Sequence, residues 1–174
     1  SPVPGAPAEL IRHFLAAGPR AGFTAETFGE VEGFPLIALT KRTPGPRPRL
    51  YLSAGIHGDE PAPPLALLRL LEQGIFDERA VWFLCPLLNP VGLALGTREN
   101  RGSLDLNRDY RTVRSAEIRA HVAWLQRQPA FDAAFCVHED WESKGYYLYE
   151  LNPQHRRSLA EPIIAAVARA CPPD

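Results

Sequence analysis

The stretch RLYLSAGIHGDEPAPPLALLRLLEQG, residues 49–74, decides the fold. Its first part, RLYLSAG, is a short, dense apolar run of the kind that forms a strand covered on both faces. PAPPLALLRLLEQG then has proline in its first turn and glycine at its end, the punctuation of a helix. Between them lies IHGDE, so His57 and Glu60 leave the strand at its carboxyl end, where open α/β sheets place their ligands. Gly58 permits a tight turn there, and a His and a Glu three residues apart can then converge on one cation. A glycine-containing loop with one His and one Glu is also a common surface feature, and the pair alone does not decide between the two.

Outward from this unit the pattern repeats. AVWFLCP is a second buried strand, and SAEIRAHVAWLQRQ, capped by Ser115, is a helix leading into a third strand, FDAAFCVH. GYYLYELNP reads as a fourth, and RRSLAEPIIAAVARA as a closing helix. Upstream, AELIRHFLAAG spaces its apolar residues as a helix ending at Gly18. GFTAETFGEV and FPLIALT form a hairpin about a Glu-Gly turn, followed by the Pro/Gly loop TPGPRPR. Strands alternating with helices predict an α/β fold, a three-layer α/β/α sandwich with a mixed sheet. One domain is expected over residues 1–174, with 1–8 as a flexible lead-in.

With 19 basic and 20 acidic side chains the chain has no bulk field for nucleic acid or an anionic membrane, which points to a small-molecule partner. Cys85 and Cys136 sit in apolar runs and read as small core residues; with Cys171 they make an odd set, so no disulfide framework is expected. No apolar run approaches the roughly 18 residues of a membrane span, and SPVPGAPAEL lacks the basic and apolar regions of a leader. A cytoplasmic location is expected.

His138 adds to the first pair, because FDAAFCV should be interior and its polar residue appears only where the strand ends. A second strand thus brings a second imidazole to the same sheet edge. Two histidines and a carboxylate with a fourth position open are a ligand set of catalytic rather than structural zinc. His13 and His121 fall on amphipathic helices and His155 in a polar loop, all with blander roles. The segment NPVGLALGTRENRGSLDLNRDYR is unusually polar for a sheet edge. Its arginines, Arg98, Arg101, Arg108 and Arg111, fit a solvated loop, yet Asn89, Asn107 and the pair Asp105/Arg108 suit fixed hydrogen bonds and the gripping of a carboxylate.

The order H-x-x-E at 57–60, N-P-x-G at 89–92, T-R-x-N-x-x-x-x-D-L-N-R at 97–108 and an apolar strand ending at His138 resembles the zinc carboxypeptidases and their relatives. Those relatives include murein-peptide amidases and the succinylglutamate desuccinylase and aspartoacylase branch. The resemblance covers about residues 48 to 140. It implies one Zn2+ per chain held by His57, Glu60 and His138, with Asp105 orienting His57 from behind without touching the metal. It further implies that Arg98 polarises the scissile carbonyl and stabilises the oxyanion, with Arg101 as a weaker candidate. Asn107 and Arg108 match the pair that grips the substrate carboxylate.

Two departures stand out. Ser103 occupies a place where the family often has glycine, with Gly102 just before it. The family's general-base glutamate lies on a later strand, so it is expected beyond residue 174, where the family domain continues. Glu139, Glu142 and Glu150 do not match its place. The expected activity is hydrolysis of an amide bond in a peptide or amino-acid conjugate with a free carboxylate. An N-acyl-amino-acid deacylase shares the site, and a zinc-retaining carboxylate-binding module without catalysis is an alternative of another class.

Overall fold

The computed structural model describes residues 7–173. Eleven elements follow in order: α1 (Pro7–Arg20), β1 (Thr24–Val31), β2 (Phe34–Lys41), β3 (Arg49–Ser53), α2 (Ala62–Glu72), β4 (Val81–Cys85), α3 (Pro90–Leu95), α4 (Leu106–Asp109), α5 (Ala116–Gln126), β5 (Ala133–Cys136) and α6 (Ala160–Val167). The five strands form one mixed sheet in the order β1-β2-β4-β3-β5. β1, β2 and β4 pair antiparallel, whereas β4, β3 and β5 run parallel.

Alternation along the strands sorts side chains onto two faces. Leu84 and Leu39 meet Leu10, Ile11 and Phe14 of α1 and Leu67 and Leu71 of α2 on one face. Phe83 and Tyr51 meet Leu106 of α4 and Ile118 and Trp124 of α5 on the other. The fold is therefore a three-layer α/β/α sandwich, as the sequence pattern predicts. Ser115 caps α5 by accepting a hydrogen bond from the backbone N–H of Ile118 at 3.2 Å.

Contacts divide the chain into two compact units, one ending at Glu139 and the other beginning at Asp140. In the second, GYYLYELNP is not a strand; its one ladder-like contact is a bridge between Tyr146 and Pro173. Tyr149 and Leu151 are more than nine-tenths exposed, so the aromatic alternation does not mark a buried face. The closing helix is confined to Ala160–Val167. Of the expected lead-in 1–8, residues 1–6 lie outside the described residues, and Pro7 and Ala8 belong to α1. α1 also runs past Gly18 to Arg20. Cys136 is exposed rather than in the core, while Cys85 is buried as expected.

Candidate metal centre

The parallel strands end together, because Ser53 of β3 is in register with Cys85 of β4 and with Cys136 of β5. Every segment that leaves this edge carries polar residues: Ala54–Glu60 after β3, Pro86–Asn89 after β4, and Val137–Glu139 after β5. Backbone bonds extend the alignment past the strands, from Asn89 N–H to the Gly55 carbonyl at 2.8 Å and from Val137 N–H to the Ser53 carbonyl at 2.9 Å.

The structure brings His57, Glu60 and His138 together. One ligand atom from each lies within 4.8 Å of the others. Nδ1 of His57 is 2.6 Å from Oε1 of Glu60, and Nδ1 of His138 is 2.9 Å from Oε2. His57 is almost completely buried, whereas the His138 side chain keeps about a third of its surface, 34%, so the group opens on that side. Burial opposes the Glu60 charge, but hydrogen bonds from His138, from His57 and from the N–H of Glu139 outweigh it and hold its pKa down at about 2.

His57 supplies a test of whether a cation fits. Its Nδ1 faces the Glu60 carboxylate, and its Nε2, buried and without a hydrogen bond, lies 3.4 Å from Oδ1 of Asp105. A neutral imidazole has one N–H and one lone pair, so one nitrogen must present a lone pair to a carboxylate oxygen. A second proton or a metal cation at Nδ1 removes that repulsion. A proton there bonds to Glu60 alone, whereas a metal ion can take a donor atom from His57, Glu60 and His138 together, and the N, O, N donor set suits a borderline metal such as zinc.

Asp105 begins α4 and accepts from the N–H of Asn107 at 2.9 Å. Its other oxygen accepts from Nε of Arg98 at 3.2 Å. Burial would raise its pKa, but the Arg98 and His57 charges and the bonds from Arg98 and Asn107 hold it below the usual carboxylate range. Arg98 also lies 3.9 Å from Oε1 of Glu60, and 41% of its side chain is exposed toward solvent. Arg101, by contrast, is paired with Glu32 at 2.6 Å. Arg108 is exposed and makes no ion pair with a described residue, which leaves its guanidinium free for a carboxylate.

The N-P-x-G segment explains how this loop is held. The Asn89 side chain accepts from the N–H of Gly92 at 2.8 Å, capping α3, and its amide donates to the Arg98 carbonyl at 3.4 Å. Gly58 lies so close to α3 that a Cβ on it would sit 1.9 Å from the Gly92 carbonyl carbon. Close approach, rather than the turn anticipated from sequence, is thus what demands glycine there. Ser103 has φ of 56°, so at the family's frequent glycine position a serine adopts the left-handed conformation that glycine favours.

Beside His138 and Asn107 is a cavity of about 290 Å³ whose wall includes Tyr51, Tyr110, His121 and Cys136. Sequence reading placed His121 on an amphipathic helix without a role. It is buried, with one ring nitrogen 2.8 Å from the Tyr51 hydroxyl and the other 2.6 Å from that of Tyr110. Burial pushes its pKa down to about 4, so it is neutral near pH 7 and joins the two tyrosines as donor to one and acceptor from the other. A larger hollow of about 570 Å³, at Arg47, Asp77, Glu78 and Arg79, lies before the first residues of β3 and β4, away from the carboxyl ends.

Comparison with known proteins agrees with this geometry. Residues 46–171 match the succinylglutamate desuccinylase/aspartoacylase catalytic domain. Carboxypeptidase SOL1 of Arabidopsis thaliana is 33% identical over 135 residues, covering 62% of this chain and 27% of that relative. A solved structure from Shewanella denitrificans, described as a candidate metallopeptidase, is 26% identical with a TM-score of 0.81; the match covers 93% of this chain and 63% of that one. A metallo-carboxypeptidase from Burkholderia cenocepacia shares the fold at 22% identity and a TM-score of 0.67, over 76% of this chain and 40% of that one. The chain thus spans less than two thirds of the length of these relatives. With its matched domain, its sheet and its convergent His, Glu and His, the chain belongs to the succinylglutamate desuccinylase/aspartoacylase family of zinc carboxypeptidase-like proteins.

Proposed function

We propose that this chain carries the metal centre of a zinc-dependent hydrolase that cleaves an amide bond in a peptide or amino-acid conjugate bearing a free carboxylate. The observation that carries the reading is the approach of two Nδ1 atoms to the two oxygens of one buried carboxylate at the carboxyl ends of the parallel strands of a mixed sheet. His57, Glu60 and His138 would hold one zinc per chain. When bound, zinc supplies Lewis-acid polarisation of the scissile carbonyl and water acidified to near neutral pH.

The remaining residues orient and bind. Asp105 fixes the His57 ring by facing Nε2, which leaves Nδ1 to the metal. Arg98, anchored on Asp105 and partly exposed, presents its guanidinium to charge developing on the carbonyl oxygen. Asn107 and Arg108 grip the substrate carboxylate. Glu139 and Glu150 accept from the backbone N–H groups of Ala62 and Leu159, and neither matches the place that the resemblance gives the proton-accepting glutamate. Near-balanced charge supports a small-molecule substrate, and no helix among the described residues is long and apolar enough to cross a membrane.

A zinc titration should saturate at one ion per chain; no uptake would overturn the reading. The matched family model favours a deacylase and the curated relative a carboxypeptidase, so the products decide between them. Assays use peptides with free C-termini and N-succinyl amino acids. Release of an amino acid from a peptide marks the peptidase, and release of a dicarboxylic acid marks the deacylase.

Asp105→Asn should weaken zinc binding by roughly ten- to a hundredfold, the usual cost of losing a carboxylate behind a metal-bound histidine. Competition with a chromophoric chelator measures it. Unchanged affinity would mean that Asp105 serves only to cap α4.

A further inference from the structure

The start of α2 is stripped of hydrogen-bond donors by its own sequence. Pro61 occupies the cap position and provides no side-chain cap, and Pro63 and Pro64 have no N–H. Leu65 N–H already reaches the Pro61 carbonyl at 3.4 Å. One first-turn donor remains, the N–H of Ala62, and it is met at 3.0 Å by Oε2 of Glu139, 77 residues away. Glu139 immediately follows His138, and its own N–H donates to Oε2 of Glu60 at 3.1 Å. Glu60 lies two residues before Ala62.

These two bonds form a reciprocal clasp. The carboxylate at 60 holds the backbone at 139, and the carboxylate at 139 holds the backbone at 62. We propose that Glu139 is a positioning residue for the metal centre: its carboxylate ties the end of β5 to the start of α2 and so sets the separation between Glu60 and His138. This role rests on the zinc reading above but is carried by contacts independent of any ion. It also gives Glu139 a task other than accepting a proton from water, since its carboxylate is turned toward the helix.

Zinc affinity is measured by chelator competition for the wild-type chain, Glu139→Ala, Glu139→Gln and Glu150→Ala. The last is a control, because Glu150 accepts from the Leu159 N–H at 2.8 Å at the start of α6 in residues outside the centre. Glu139→Ala should lose about tenfold in affinity, the low end for partners behind metal ligands, because it acts through the backbone. Glu139→Gln retains an accepting oxygen and should stay within about twofold of wild type. Glu150→Ala should not change affinity. Amide exchange in the metal-free proteins supplies the second readout: the amides of Ala62 and of position 139 should exchange about tenfold faster in Glu139→Ala than in wild type, since the clasp orders both.

Wild-type affinity and wild-type exchange in Glu139→Ala would overturn the clasp, as would an equal loss of affinity in Glu139→Gln. If the wild type takes up no zinc, the metal reading fails, and the exchange data alone then support or overturn the clasp.

Discussion

Glu60→Ala is expected to weaken zinc binding by roughly a hundredfold to a thousandfold. The estimate divides an apparent binding free energy of about 10–16 kcal/mol for a four-ligand site among its ligands, giving about 2.5–4 kcal/mol for each. Glu60 sits at the centre of the group, with the two histidine Nδ1 atoms, the Glu139 N–H and the Arg98 guanidinium all directed at its two oxygens. Its loss removes a ligand and also leaves Arg98 and both imidazoles without the anion that gathers them. Glu60→Gln should fall between wild type and Glu60→Ala, because an amide oxygen still accepts from Glu139 but carries no charge for the metal. Chelator competition measures both. Binding by Glu60→Ala within threefold of wild type would place the ion elsewhere.

The second large effect lies one residue beyond D-L-N-R, at Asp109, and concerns stability. Asp109 is buried, and its carboxylate accepts from the Thr112 hydroxyl at 2.7 Å, the Arg114 N–H at 3.0 Å, the Ser115 N–H at 2.8 Å and the Ser115 hydroxyl at 2.7 Å. Burial alone would raise its pKa. The hydrogen bonds from Thr112, Arg114 and Ser115 prevail and hold the carboxyl well below the usual carboxylate range. Asp109→Ala leaves the buried Ser115 amide and hydroxyl without their acceptor and should cost on the order of 2 kcal/mol or more, at about 1–3 kcal/mol for each buried donor left without a partner.

The pH dependence follows from the sign of the shift. With the folded pKa depressed below the unfolded value of about 3.9, the stabilisation is complete above that value and is lost as pH falls toward the folded pKa. The difference between wild type and Asp109→Ala in urea unfolding should therefore be constant from neutral pH to about pH 5 and shrink by up to roughly 1.4 kcal/mol per pH unit below about pH 4. A difference that does not change on acidification would show that Asp109 acts by shape alone.

Much of this was readable before any coordinates. Dense apolar runs at 49–53, 81–85 and 133–136 mark the three parallel strands; β3 and β4 carry buried residues as expected, but β5 lies at the end of the sheet and none of its residues is buried, so its expected interior place is not found. The polar residue ending each run then falls at the sheet edge, which is how His57 and His138 come to share a site. Other features depend on distances across the fold. Arg98 and Arg101 are three positions apart in one loop, and only their partners, Asp105 and Glu32, separate their roles. The helices α3 and α4 have six and four residues, too short for an apolar period to show. GYYLYELNP alternates like a strand, but the described residues give it no continuous ladder to join. The clasp at Glu139 was hidden because a run of prolines gives no hint of which distant side chain meets its one remaining donor.

Glu60 and His138 come from chain segments 78 residues apart, joined through the neighbouring parallel strands β3 and β5. Closing so long a loop is entropically costly, and parallel strands form late among the contacts of a domain. While the sheet is incomplete, His57 and Glu60 offer an ion only half a site. On the zinc reading proposed above, metal capture would report finished assembly rather than seed it: an ion would lock a sheet that has already closed, and a misfolded chain would be left unloaded.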